Sequence, residues 1–167
     1  MTPPIGPAFA TRNAPILGRP ELIEALHAER DAGRTIAFAN GCFDVLHVGH
    51  LRYLQGAARE ADILVVGING DESVRLIKGN GRPVMAEDER AEMIAAIRGV
   101  DYVTIFHDRS PTALIAAMKP DVQCKGTDYT EENVPEREVV RGYGGRIAIV
   151  GDPKDHSTTA VLEKLKR

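Results

Sequence analysis

Thr35-Ile36-Ala37-Phe38-Ala39, continued by Asn40-Gly41-Cys42-Phe43-Asp44-Val45-Leu46-His47-Val48-Gly49-His50, is the stretch on which the reading of this chain turns. Its first residues form an apolar run of strand length, and a polar, glycine-containing loop follows. From about Val48 to Glu60 a helix is expected, because Leu51, Leu54, Ala58 and Ala61 recur three and four apart. His47 and His50 then fall on one side of its first turn. Gly49 between them leaves room for a ligand to approach the backbone. The N–H groups and positive dipole end of a helix start make an anion the natural guest. Two imidazoles there can donate to phosphate oxygens and stabilise the charge that grows in phosphoryl transfer. The bland alternative is one histidine that caps or packs and one that faces solvent.

Outward from this loop the chain alternates. Asp62 to Ile68 is a nearly continuous apolar strand, as a strand buried on both faces should be. A helix over Glu87 to Arg98 turns Met93, Ile94 and Ile97 inward. Tyr102 to Phe106 is a strand, Pro111 to Met118 a helix and Asp121 to Cys124 a strand. A helix near Pro135 to Tyr143 leads through Gly144-Gly145 to the strand Arg146 to Val150. The last helix starts near Ser157 and is expected to bury Val161, Leu162 and Leu165. Upstream, Glu21 to Arg30 reads as a helix with Leu22, Ile23 and Leu26 on one side, ended by Gly33. Residues 1–19, with Pro3, Pro4, Pro7 and Pro15, read as a flexible arm, which leaves 20–167 as one domain. Strands alternating with helices imply an α/β fold, a doubly wound parallel sheet covered on both faces. Ligands of such sheets bind beyond the carboxyl ends of the strands, where the winding reverses.

Composition sets the limits of function. The chain has 167 residues, 43% apolar and 27% charged, the balance of one globular domain. Lys plus Arg is 21 against 24 Asp plus Glu, a net charge of −3, so a general nucleic-acid binder is not expected. With 5% aromatic residues and no Trp, a base-stacking platform is not expected either. Two cysteines make no disulfide framework and suit a reducing, cytoplasmic setting. No apolar run approaches the length of a membrane span, and the proline-broken start is not a secretory signal.

Other candidates lie at other strand and helix ends. Lys125 and Gly126 close the strand that begins at Asp121, and a lysine there points toward the ligand crevice. Ser157, Thr158 and Thr159 open the last helix, where they can cap it and meet a phosphate. Lys78, Arg82 and Arg90 form a sparse cationic set around the polar loop from Lys78 to Pro83, suited to phosphate but more often merely solvated. Cys42, His47 and His50, with Cys124 as a fourth ligand, would be a zinc alternative, but the spacing is not a familiar zinc pattern. Both cysteines read more simply as small buried hydrophobes, and no metal site is expected. A P-loop, a G-x-G-x-x-G fingerprint and a G-x-S-x-G elbow are absent from the sequence.

The run from Asn40 to His50 resembles the first signature of the cytidylyltransferase-like nucleotidyltransferases. The resemblance continues in Arg82-Pro83-Val84, Glu89-Arg90, Lys125-Gly126-Thr127-Asp128-Tyr129, Gly144-Gly145-Arg146 and His156-Ser157-Thr158-Thr159. It is strongest toward the adenylyltransferase domain of bacterial ADP-heptose synthesis, which moves AMP from ATP to D-glycero-D-manno-heptose 1-phosphate. It implies a Rossmann-like sheet of order 3-2-1-4-5, a stand-alone chain without the sugar-kinase domain fused to it in some bacteria, and Mg²⁺ arriving with ATP. By resemblance His47, His50 and Lys125 are catalytic. Asn40, Gly41, Cys42, Phe43, Asp44, Gly49, Ser157, Thr158 and Thr159 bind the nucleotide. Lys78, Arg82, Arg90 and Asp128 are weaker transfers, to the sugar phosphate or triphosphate. The implied partners are ATP and a sugar phosphate, and since relatives often dimerise, a homodimer is compatible with it. The sequence departs from relatives at Asn133-Val134-Pro135-Glu136 and at Asp152-Pro153-Lys154-Asp155. Rivals in the same fold are a glycerol-3-phosphate cytidylyltransferase, an FAD synthetase and a pantetheine-phosphate adenylyltransferase. A rival of another class is a non-catalytic nucleotide-binding module.

Overall fold

A computed structural model describes residues 13–153 and 156–166. Helix α1 (Arg19–Asp31) precedes β1 (Ile36–Gly41), α2 (Val48–Ala57), β2 (Ile63–Asn69), α3 (Asp71–Lys78), α4 (Glu87–Ala95) and β3 (Tyr102–Phe106). Then follow α5 (Thr112–Met118), β4 (Val122–Lys125), α6 (Arg137–Gly142), β5 (Arg146–Ile149) and α7 (Thr158–Leu165). The strands form one parallel sheet of order β3-β2-β1-β4-β5, the expected order. The winding reverses between β1 and β4, so the loops after these two strands share one crevice.

The pleat of β1 divides the core. Successive side chains of a strand point to opposite faces. Ala37 and Ala39 accordingly join Leu54 and Ala57 of α2 and Ala91 and Ile94 of α4 on one face. Ile36 and Phe38 join Leu22 and Leu26 of α1 and Ile115 and Met118 of α5 on the other. Phe38 presses on the neighbouring strand, where a Cβ on Gly67 would lie 2.7 Å from its ring.

The amino edge of the sheet is closed by carboxylates. Asp62, Asp101 and Asp121 immediately precede β2, β3 and β4, and each accepts an amide N–H at the start of an adjacent strand. Thr35 donates to Asp62 at 2.9 Å, Leu64 to Asp101 at 2.8 Å and Ile36 to Asp121 at 2.8 Å. Asp62 is held below the ordinary carboxylate value by the Thr35 N–H and hydroxyl. Asp101 is raised by burial, which outweighs the Leu64 hydrogen bond.

Several expectations are corrected. The flexible arm holds for none of residues 13–18. Ala14 donates to Ala95, Leu17 donates to Val103 and Val103 donates to Pro15, so this segment lies along the open edge of β3. Residues 1–12 fall outside the described residues. Met93 and Leu51 are largely exposed. No residue of α7 is fully buried and Leu165 is 76% exposed. Helix α3 is absent from the expected elements although Val74, Leu76 and Ile77 share one side of it; Val74 is buried, Leu76 and Ile77 are exposed, and Ile77 borders the cavity.

Candidate active site

A cavity of about 720 Å³ opens at the carboxyl edge, walled by the loops after β1, β4 and β5 and by the segments around α3 and α5. Its lining contains every candidate residue of the sequence reading except Arg90.

The floor is the start of α2. His47 is its N-cap, in extended backbone conformation. Its Nδ1 accepts the Gly49 N–H at 3.1 Å, while the His50 Nδ1 accepts the His47 N–H at 3.3 Å. The two histidines thus build a reciprocal capping box and satisfy orphan donors of the helix start. With each Nδ1 an acceptor, the proton of each neutral ring sits on Nε2. The rings stack with centroids 3.9 Å apart. The capping alternative and the chemical one are therefore the same geometry. Gly49 is needed for a reason other than ligand access, because a Cβ there would lie 2.9 Å from the His47 ring. Phe43 has φ 48°, an uncommon left-handed conformation for a bulky residue. Its ring packs edge-on against His50, at 5.4 Å, and stacks on Tyr53.

Asp44 is buried and spent on structure. It accepts from the Arg82 Nε and from the backbone of Val84 and Met85. Burial pushes its carboxyl up, but the Met85 and Val84 amides and Arg82 together bring it below the ordinary value. Asp44 thus anchors the 82–85 loop, and part of the Arg82 guanidinium is committed to it. Lys78 lines the cavity at the end of α3.

Arg90 is the correction within the site. It is fully buried under the same loops and donates to the carbonyls of Met85, Cys42 and Asn69, with an ion pair to Asp71 at 2.7 Å. It belongs to the inward stripe of α4, four residues before Ile94, and cannot reach substrate. Its role is to close backbone acceptors.

Opposite the histidines, across the switch point, stands Lys125. Its Nζ lies 3.2 Å from the Asn40 Oδ1, 3.1 Å from Glu136 Oε2 and 5.2 Å from the centre of the Tyr129 ring. Asn40 also accepts from Gln123 at 3.0 Å, so its oxygen is a fixed acceptor for the lysine. On the far wall Ser157 caps α7, accepting from the Ala160 N–H at 3.1 Å, and Thr158 donates to Val45 at 3.2 Å. That bond ties α7 to the histidine loop. Thr159, Asp128 and Gly41 complete the expected set on the lining.

Cys42 lines the cavity, and burial raises its thiol against the lowering pull of Lys78, Arg90 and Arg82. Cys124 sits in the core on β4, its thiol pushed up to about 12 by burial. The zinc alternative therefore loses its fourth ligand to the core. Sequence reasoning missed Arg52, Arg109, Ser110 and Asn69 as lining residues, and it singled out Glu136 only as part of the departing stretch 133–136. Arg52 pairs with Asp152 at 2.7 Å and so clips α2 to the loop after β5. Arg52 follows His50 by two positions, while Arg109, Ser110 and Asn69 lie far in sequence from the motif residues with which they share the wall, and no residue-type pattern marks any of them.

The lining also bears on Mg²⁺. Of its four carboxylates, Asp44, Glu136 and Asp152 are each engaged by a protein cation, and Asp128 stands on the same wall. Among the described residues no cluster of three His, Cys, Asp or Glu side chains is arranged to cage a metal. Such a wall fits an Mg²⁺ that keeps water and triphosphate oxygens as its main ligands.

The sequence model of the cytidylyltransferase-like family matches residues 38–164. The chain belongs to the cytidylyltransferase-like family. It shares 45% identity over 147 residues with the bifunctional protein HldE of Syntrophotalea carbinolica, covering 88% of this chain and 30% of that one. It is 46% identical to the HldE of Pelobacter propionicus over 95% of this chain and 32% of the relative. The chain thus spans about a third of the length of these relatives. A crystal structure of the lipopolysaccharide core biosynthesis protein from Thermoplasma volcanium superposes with a TM-score of 0.61 at 27% identity. That match covers 73% of this chain and all of the other. The fold is the Rossmann-like nucleotidyltransferase fold, and no helix among the described residues is long and apolar enough to cross a membrane.

Proposed function

We propose that this chain is an adenylyltransferase that moves AMP from ATP to a sugar 1-phosphate, D-glycero-D-manno-heptose 1-phosphate, giving ADP-heptose and pyrophosphate. The observation that carries the reading is the histidine capping box, in which both Nδ1 atoms cap the start of α2 while both residues line the switch-point cavity. Similarity to the HldE proteins and to a lipopolysaccharide core biosynthesis protein supports the acceptor class. The chain would act in the cytoplasm, where ATP is supplied.

An oxygen of the sugar phosphate attacks the α-phosphorus of ATP in line. A new P–O bond forms, the bond from Pα to the bridging oxygen breaks, and pyrophosphate leaves with the electron pair. Such transfers need positioning and charge stabilisation rather than a protein nucleophile. His47 and His50 donate to the α-phosphoryl oxygens, on which charge builds. Lys125 faces the same phosphates from β4. The start of α7, with Ser157, Thr158 and Thr159, receives the leaving pyrophosphate through its N–H groups and hydroxyls. Mg²⁺ held by the triphosphate supplies charge neutralisation and a template for its oxygens. Lys78, Arg82 and Asp128 border the acceptor side.

The test is pyrophosphate release with each nucleoside triphosphate against a panel of phosphorylated acceptors. Release with ATP and heptose 1-phosphate is expected. Release with CTP alone overturns the adenylyl assignment, and ATP binding without release for any acceptor overturns catalysis.

A further inference from the structure

The buried acid beside Lys125 is not used by the chemistry proposed above. Glu136 immediately precedes α6, lines the cavity and is 4% exposed at its side chain, against 8% for Lys125. Its Oε2 lies 3.1 Å from the Lys125 Nζ, yet this oxygen has no aligned hydrogen bond. The pair is therefore held by charge at close range rather than by a fixed donor direction. Two neutral groups also stand against the ammonium: the Asn40 oxygen, immobilised by Gln123, and the face of Tyr129. A buried ammonium is costly unless a counter-charge accompanies it. The loop carrying Glu136 supplies that charge from 11 positions downstream, on an element separate from the strand that carries the lysine.

We propose that Glu136 is the positioning residue of Lys125. Its carboxylate keeps the ammonium buried and aimed into the cavity before substrate arrives, while the unaligned contact lets Nζ move onto phosphate without breaking a directed hydrogen bond. The proposal rests on the function proposed above for its consequence in turnover, and on geometry alone for the pairing.

The pairing is read without turnover, by the ¹⁵N signal of the Lys125 ammonium in the ligand-free chain. Protection from exchange makes this signal visible in the wild-type chain, and Glu136→Gln should abolish it. In turnover, Glu136→Gln should lower kcat by about tenfold or more while changing KM for ATP less than about threefold. Glu136→Asp should recover part of the loss. In a Lys125→Ala chain, Glu136→Gln should cost nothing further, because the group it serves is gone. Thermal midpoints show that each variant is folded, and Glu136→Asp carries the test if Glu136→Gln does not fold. An unchanged ammonium signal in Glu136→Gln overturns the proposal. So does unchanged kcat, or an equal loss in the Lys125→Ala background, which would mean that Glu136 only supports the fold. If the wild-type chain releases no pyrophosphate with any acceptor, the function is overturned, and the pairing is still decided by the ammonium signal.

Discussion

At the amino edge of the sheet Asp62, Asp101 and Asp121 accept N–H groups from strand starts, and at the carboxyl edge Arg90 donates to the Cys42 and Asn69 carbonyls where β1 and β2 end. A parallel sheet leaves donors at one end and acceptors at the other, and buried backbone groups must be paired. The two edges meet this demand with opposite charges. The amino edge is thereby finished. At the carboxyl edge Arg90 and part of Arg82 are consumed by the frame, while His47, His50 and Lys125 are braced by the protein and still form cavity wall. A cation near a strand end is thus structural or chemical according to which side of the loop it occupies.

Four measurements would break or sharpen this contrast. Arg90→Met strips three carbonyls and Asp71 of their donor and should cost about 3–5 kcal/mol in denaturant unfolding. A loss under about 1 kcal/mol would erase the distinction between frame and wall. His50→Ala should reduce kcat by roughly 10²–10³ in pyrophosphate release. Its stability should fall by only about 1 kcal/mol, the worth of a helix cap. Asp121→Ala orphans the Ile36 N–H and should cost about 1–3 kcal/mol. Its kcat/KM should match the wild type, and a drop in a fully folded sample would show that the amino edge reaches the site.

The smallest effect concerns pH. Asp101 is raised above its ordinary 3.8, so just above that value the folded chain holds the extra proton and stability falls as pH rises. Asp101→Asn should flatten that fall. Asp44 is depressed below 3.8, so its contribution is complete above that value and disappears as pH drops through the folded pKa. Asp44→Asn should weaken the acid-side loss. Thermal midpoints from about pH 2 to about pH 6, a range that spans the ordinary carboxylate value on both sides, separate the two signs.

Much of this was legible before any coordinates. The apolar runs of β1 and β2 announce strands covered on both faces, and the parallel order follows. The histidine pair at a helix start marks a candidate anion site, and the structure shows the pair capping that start. Other features were not legible. Arg90 carries the same charge as Lys78 and Arg82, and only its place in the stripe with Ala91 and Ile94 hints at burial. The docking of residues 13–18 on β3 rests on backbone hydrogen bonds, which leave no trace in side-chain pattern. The exposure of Leu76 and Ile77 on α3 and of Leu165 on α7 is likewise decided by how these helices sit in the fold and not by their apolar character.

The sequence by itself determined the alternation, the sheet class and the candidate motifs at strand and helix ends, because periodicity and helix-start chemistry are local. Only the tertiary structure decided that Glu136 stands beside Lys125, that Arg90 is frame rather than wall, and that Asp44 holds a loop. Those are contacts between segments distant in the chain, and burial and pairing of charge exist only once the segments have been brought together.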